Sequence, residues 1–385
     1  MTDKEQLLGK YLLKIAENLD ISPTMQEKAE KSYRAVGEWL GDCDANSDVK
    51  IMPQGSFNLG TIIRPVSDKD EYDIDLVCLL KNAVGKSEAE IKNIVGDRLK
   101  ENKTYLSMLE PEGKRCWTLC YEEFHMDILP CVPKNRYYVE PYLTEIKLTH
   151  KLENGRYVPK YSNPYKYHDW FEERMRVRLD EAKKDYSIRN QVEISKVPSY
   201  KVKTPLQRAI QLLKRHRDIM YDALPEIRRD NAPISIVITT LAAHAYNNET
   251  NVYEALCNIV ENMTQYIKVS GNTYVIENPV MPEENFADKW NEKPEKAQEF
   301  FKWLESATSD ILSAPINAQG LHKVSEALEL CFGSNIVRRS LVDDGNDTRI
   351  ARENKTLYVD GLAGGLKTTP SQTTKKVGGH TFFGN

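Results

Sequence analysis

The sequence predicts an α+β protein: a mixed β-sheet preceded by a pair of helices and followed by a helical bundle. Three observations carry that expectation. Apolar residues recur at helical spacing from Gln6 to Trp39 and again beyond about Lys201. Between them, from Val49 to about Lys160, the chain breaks into short β-type runs. Asn154-Gly155 stands between the last two of these runs, and that dipeptide is a strong short-range hairpin signal.

The elements follow in order. Leu7, Leu8, Tyr11, Leu12, Ile15 and Leu19 lie on one helical face, and Ser22-Pro23-Thr24 opens a second helix with a cap and a first-turn proline. Strands are expected at Val49–Met52, Tyr72–Leu80, Cys116–Tyr121, Phe124–Leu129, Tyr142–Thr149 and Arg156–Pro159. Helices are expected at Leu206–Tyr221, Pro233–Tyr246, Asn251–Gln265, Lys293–Ser309 and Leu321–Cys331. This divides the chain into a sheet core with its N-terminal helices (1–200), a helical domain (201–362) and a tail (363–385). The tail is rich in glycine and threonine and has no acidic residue, so it is expected to be flexible.

Composition excludes several function classes. With 53 basic against 57 acidic residues, the formal charge of −4 is not that of a polycation that coats nucleic acid. No run approaches the roughly 18 apolar residues of a membrane span, and the first residues lack a secretory layout; a cytoplasmic protein is expected. The 7 cysteines are odd in number and form no CxxC pair, which favours reduced thiols over a disulfide framework or a thiolate zinc site. Cys116 and Cys120 share a strand face and read as core or half-buried thiols, and His125 reads as an ordinary strand histidine.

Chemistry concentrates in Pro53-Gln54-Gly55-Ser56-Phe57-Asn58-Leu59-Gly60-Thr61 and Glu71-Tyr72-Asp73-Ile74-Asp75-Leu76-Val77. Gly55-Ser56 lies between a strand and a helix-compatible run, so the turn can offer a hydroxyl and amides to a phosphate. Asp73 and Asp75, two apart on a strand, project from one face while Ile74 and Leu76 point to the other. Like charges held side by side invite a divalent cation between them. Asp127, in Phe124-His125-Met126-Asp127-Ile128-Leu129-Pro130, supplies a third carboxylate. An all-oxygen set of this kind suits two Mg²⁺ ions, with Mn²⁺ as a substitute, and a nucleoside triphosphate. Singly, each feature has an ordinary explanation: a turn, a solvated edge strand, a lysine-paired aspartate. Their order along the chain is hard to reach by accident, and it implies nucleotidyl transfer.

These words resemble the polymerase-β-like nucleotidyltransferase superfamily. More narrowly, the chain is similar to the bacterial cGAS/DncV-like nucleotidyltransferases (CD-NTases) of anti-phage (CBASS) signalling. Gln54-Gly55-Ser56-Phe57, Thr61-Ile62-Ile63-Arg64-Pro65, Asp73-Ile74-Asp75-Leu76-Val77 and Asp127-Ile128-Leu129-Pro130 carry the likeness, with Ser162-Asn163-Pro164, Asn231-Ala232-Pro233-Ile234-Ser235 and Asn278-Pro279 further on. The resemblance implies a polymerase-β-like core with a C-terminal helical bundle, and a synthase that joins nucleoside triphosphates, ATP, GTP or others, into a cyclic di- or trinucleotide. It implies that Gln54, Gly55, Ser56, Lys214 and Ser235 bind nucleotide, that Asp73, Asp75 and Asp127 ligate metal, and that Asp127 polarises the attacking hydroxyl. Where animal relatives place a base-stacking aromatic, this chain has Ile236. It also lacks their cysteine-histidine insertion, so no double-stranded DNA requirement is expected. Lys214, Arg215, Arg217, Arg228 and Arg229 are interleaved with acids and read as a solvated face lining a nucleotide cleft. Residues 378–385, ending in Phe382-Phe383-Gly384-Asn385, are expected to meet a conjugating or regulatory protein. The other readings of the same residues are a template-independent transferase acting on RNA or protein, and a silent nucleotide sensor or scaffold.

Overall fold

The computed structural model describes the chain except residues 43–47, 68–70, 136, 138, 141–142, 198–200, 361–365, 368–369, 371–373 and 378–385. The proposed partner-binding terminus therefore lies outside the described residues.

The first half runs α1 (Asp3–Asn18), α2 (Pro23–Gly41), β1 (Val49–Gln54), α3 (Gly55–Asn58), β2 (Tyr72–Leu80), α4 (Glu88–Glu101), α5 (Lys103–Met108), β3 (Trp117–Cys120), β4 (Phe124–Pro133), β5 (Ile146–Lys151) and β6 (Tyr157–Ser162). These strands form one six-stranded sheet in the order β1-β2-β4-β5-β6, with β3 also paired to β4. The pair β2–β4 is parallel and the others are antiparallel, so the sheet is mixed as expected. The Asn154-Gly155 hairpin joins β5 to β6, with Gly155 at φ +79°. β4 runs on past Leu129 through Pro130. That proline falls between the residues paired to β3 and those paired to β5, where a missing N–H costs least.

Alternation along β2 sets the site. Ile74 and Leu76 are fully buried in the core beneath α2 and α4, where each contributes about 1.5–3 kcal/mol. Asp73 and Asp75 consequently face the other way. Further along, that second face is closed by Val77, Leu79, Cys131, Ile146 and Leu148. Only the aspartate end stays open.

The second half runs α6 (Pro164–Asn190), α7 (Pro205–Asp222), α8 (Glu226–Arg229), α9 (Ser235–Ala245), α10 (Val252–Asn262), β7 (Lys268–Ser270), β8 (Thr273–Val275), β9 (Glu277–Asn278), β10 (Met281–Asn285), α11 (Asp288–Glu292), α12 (Pro294–Ala307), α13 (Ala314–Asn317), α14 (Leu321–Phe332) and α15 (Ser334–Glu353). Five of these helices were not expected: the short α8, α11 and α13, and the long α6 and α15. α6 starts at Asn163, whose Oδ1 accepts from the Lys166 amide at 3.1 Å, with Pro164 in the first turn. Only Tyr167, Phe171, Met175 and Leu179 of its 27 residues are buried, one every four positions, and charged residues crowd the rest of the helix.

Packing departs from a division at residue 200. Leu8, Leu12, Ile15 and Leu19 of the first helix, and Phe171 and Met175 of α6, share one core with Ile210, Leu241 and Trp303 of the bundle. The expectation had grouped α1 and α6 with the sheet, yet their apolar faces belong to the helical core. The tail also departs from expectation in part. Leu366–Lys367 and Thr374–Lys376 pair as strands β12 and β13 on either side of β11 (Tyr358–Asp360). Main-chain hydrogen bonds make such a sheet without an apolar core.

Candidate active site

The open end of the aspartate face meets α7 and α9 across a cleft of about 380 Å³. Gly55, Ser56, Asp73, Asp75 and Asp127 line its sheet wall, and Lys214, Arg217, Asp218, Ser235, Ile236 and Thr239 line its helical wall.

Register brings the carboxylates together. Asp75 and Asp127 are Cα partners across the parallel pair β2–β4, and Gln54 is the partner of Asp75 on β1. The chain then turns at Gly55, whose φ of +61° suits glycine. A Cβ at Gly55 would lie 2.2 Å from Asp75 Oδ2, so the bare backbone is what lets the turn close over that carboxylate. Thr118 on β3 donates to Asp127 Oδ1 at 2.5 Å and holds its rotamer.

The helical wall is tied to the sheet wall by α7. Thr204 caps this helix in a reciprocal box with Gln207. From there, α7 side chains reach successive carbonyls of the 59–65 segment. Gln207 Nε2 donates to Leu59 O at 3.0 Å, Gln211 Nε2 to Ile62 O at 2.8 Å and Lys214 Nζ to Thr61 O at 3.0 Å. Arg215 Nη2 bonds Arg64 O at 2.7 Å and Pro65 O at 3.1 Å. Lys214 and Arg215 are buried, not solvated as their sequence suggested, because these carbonyls need donors; His216 beside them is buried too and meets Asp310. At the start of α9, Ser235 Oγ accepts from Arg217 Nη1 at 2.9 Å.

Charge is left unbalanced in the cleft. Burial first, then the charges of Asp127 and Asp73, hold Asp75 up to about 6 from 3.8. Burial and Asp127 raise Asp73 as well. On the facing wall burial, aided by Arg217, lowers Lys214 to about 8, while Asp218 and Asp75 oppose the shift. The three aspartates do not close on one point. Among the described residues, the one group of three His, Cys or carboxylate donors within 4.8 Å of one another is Glu110, Cys120 and His125. An all-oxygen donor set in which Asp73 and Asp75 are raised fits Mg²⁺, and Asp73, Asp75 and Asp127 are the residues that could hold it.

The cleft thus gathers Gly55, Ser56, Asp73, Asp75, Asp127, Lys214 and Ser235, as the sequence led one to expect. Gln54 is the exception, entering through its backbone pairing with Asp75 and not through the lining. Asp218, Thr239 and Glu71 line it without having been singled out, and Arg217 lines it from the basic run already read as a cleft face. Their signal was spacing: Arg217 follows Lys214 by three and Thr239 follows Ser235 by four, one helical turn in each case.

Residues 7–174 match the Second Messenger Oligonucleotide or Dinucleotide Synthetase domain. The chain is 32% identical over 333 residues to the c-di-GMP synthase of Roseivirga ehrenbergii, a match that covers 84% of each protein. This chain belongs to the CD-NTase family. The CD-NTase is also 24% identical over 355 residues to the cyclic dinucleotide synthase CdnG of Bradyrhizobium diazoefficiens, covering 87% of this chain and 82% of that one. The structure of Bradyrhizobium CdnG in complex with GTP superposes with a TM-score of 0.66 at 22% identity, over 88% of this chain and 99% of that one. The fold is accordingly the polymerase-β-like one. As a CD-NTase, the protein is a nucleotidyltransferase, and its reaction is cyclic oligonucleotide synthesis.

Proposed function

We propose that this CD-NTase joins two nucleoside triphosphates, GTP among them, into a cyclic dinucleotide that signals in CBASS anti-phage defence. The observation that carries the reading is the facing of Asp73, Asp75 and Asp127 on one cleft wall by Lys214 and Ser235 on the other. The guanine preference rests on the likeness to the Roseivirga c-di-GMP synthase and to CdnG, whose structure is in complex with GTP. Asp73, Asp75 and Asp127 would hold two Mg²⁺ ions. When bound, the ions supply charge neutralisation for the triphosphate and acidity for the attacking hydroxyl.

The protein's own groups do the rest. Ser56, presented by the turn over Asp75, hydrogen-bonds the donor triphosphate. Lys214 gives a charge-assisted bond to its terminal phosphates, and Ser235, held by Arg217, adds a second contact. Asp127, fixed by Thr118, accepts a hydrogen bond from the ribose hydroxyl of the acceptor and aligns it with the α-phosphorus of the donor. Attack forms the new phosphodiester and expels pyrophosphate. The linear product then rebinds with its free hydroxyl as acceptor and its triphosphate as donor, and a second pyrophosphate leaves as the ring closes.

The test is mass spectrometry of products from all four ribonucleoside triphosphates with Mg²⁺. A phosphatase-resistant cyclic dinucleotide containing guanine, absent with Asp75→Asn, is expected. Elongated RNA, labelled protein or no product would refute the proposal.

A further inference from the structure

Beside the catalytic carboxylates, the sheet carries a second set of donors of different chemistry. Cys120 and His125 are Cα partners across the β3–β4 hairpin, and His125 is in turn the partner of Asp73 on β2. Glu110 joins from the segment after α5, whose amide donates to Thr118 O at 3.0 Å. One donor atom from each of Glu110, Cys120 and His125 lies within 4.8 Å of the other two. Cys120 Sγ donates to Glu110 Oε1 at 3.2 Å, and His125 Nε2 meets the Glu71 carboxylate. Two rows therefore cross this face of the sheet. One holds Thr118, Asp127 and Asp75, with oxygen donors only. The other holds Cys120 and His125 next to Asp73, and adds sulfur and nitrogen.

Thiolate, imidazole and carboxylate together suit a borderline ion such as Zn²⁺, whereas Mg²⁺ takes oxygen. Bonds of about 2.0–2.3 Å in a tetrahedron place ligand atoms roughly 3.3–3.8 Å apart, a small rotamer adjustment from the spacing present. Glu71, on the His125 ring, is the kind of carboxylate partner that fixes the imidazole of a zinc ligand.

We propose that Glu110, Cys120 and His125 bind one zinc-class ion, with Glu71 orienting His125. The ion crosslinks β4, β3 and the segment ahead of β3, alongside the catalytic row and separate from it. Binding displaces the thiol proton to solvent, and a water completes the tetrahedron. The cysteine count argued against a thiolate site because it searched for paired cysteines. This site uses one thiol and takes its other ligands from distant sequence.

The experiment titrates the metal-free full chain with Co²⁺, a spectroscopic stand-in for zinc, in excess Mg²⁺ so that oxygen-ligand sites are occupied. One equivalent should raise a thiolate-to-cobalt charge-transfer band that Zn²⁺ then bleaches. Cys120→Ser should abolish the band, and His125→Gln should weaken binding by at least roughly tenfold. A melt provides the second measurement: Zn²⁺ should raise the transition of the unaltered protein and leave that of Cys120→Ser in place. A missing band, a band that survives Cys120→Ser, or equal stabilisation of both proteins by Zn²⁺ overturns the proposal. None of these readouts depends on nucleotide turnover, so they test the ion site independently of the proposed synthase reaction.

Discussion

Replacing Asp75 by asparagine should disable the enzyme while stabilising its metal-free form. The carboxylate is held at about 6 in the folded chain against an ordinary 3.8, chiefly by burial and then by Asp127 and Asp73. A shift of about two pH units is worth up to about 3 kcal/mol against the folded state once the group is ionised. Because the folded-state value is raised, the folded protein holds this proton more tightly than the unfolded chain does. Below about pH 4 both are protonated and no penalty exists. Stability then falls as pH rises from about 4 to 6, and above about 6 the full penalty is present. Asparagine has nearly the same shape and never ionises, so it escapes the penalty without leaving a cavity.

The assay is a melt of both proteins in chelator across pH 4–8. At pH 7.5 Asp75→Asn should melt roughly 2–6 °C higher, with the gap closing toward pH 4. Mg²⁺ should raise the unaltered protein by mass action and the variant far less. Pyrophosphate release by the variant should fall by several orders of magnitude, as expected when a carboxylate that would hold the charge-neutralising ions is lost. A variant that melts lower at pH 7.5, or a gap that ignores pH, would refute the electrostatic account of the site.

Three further outcomes can be checked. Gly55→Ala puts a Cβ 2.2 Å from Asp75 Oδ2 at a φ of +61°, so turnover should drop by about 100-fold while the fold survives at a cost of about 1–2 kcal/mol, measured by steady-state kinetics and urea unfolding. Lys214→Met removes a charge-assisted phosphate contact; kcat/KM for nucleoside triphosphate should fall roughly 10–100-fold, mostly through KM, and an unchanged KM would count against the assignment. Gln211→Leu leaves Ile62 O without its 2.8 Å donor, and should cost about 1–3 kcal/mol in denaturant midpoint measurements.

Strands β3, β4 and the start of β2 were legible because their burial alternates. Tyr72–Leu80 is bounded by the structure as the sequence bounds it, and the two-residue parity of Asp73 and Asp75 follows from Ile74 and Leu76 seeking the core. α6 was not legible because its buried stripe is a single residue per turn in a helix rich in charge. The run Lys214-Arg215-His216-Arg217 misled for a related reason. A charge run reads as solvent-facing unless its partners are known, and for Lys214 and Arg215 the partners are carbonyls about 150 positions earlier in the chain. The Glu110, Cys120 and His125 group was hidden in the same way, since no local spacing relates Glu110 to a hairpin that begins after it.

One helix explains why both walls of the cleft keep their relation. α7 shows Lys214 to the cleft while Gln207, Gln211, Lys214 and Arg215 together bond five carbonyls between Leu59 and Pro65, the strip that runs directly from Ser56 toward Asp73. Lys214 serves both tasks with one ammonium group, since its bond to Thr61 O is made by the Nζ that would meet phosphate. An ammonium has three donors, so the carbonyl bond fixes its direction and leaves two for the ligand. Arginine at this position would carry the same charge, but its planar fork would demand a different approach to both partners. The positive end of the cleft is thus placed by the same contact that ties down the 59–65 segment, and a change to either moves the other.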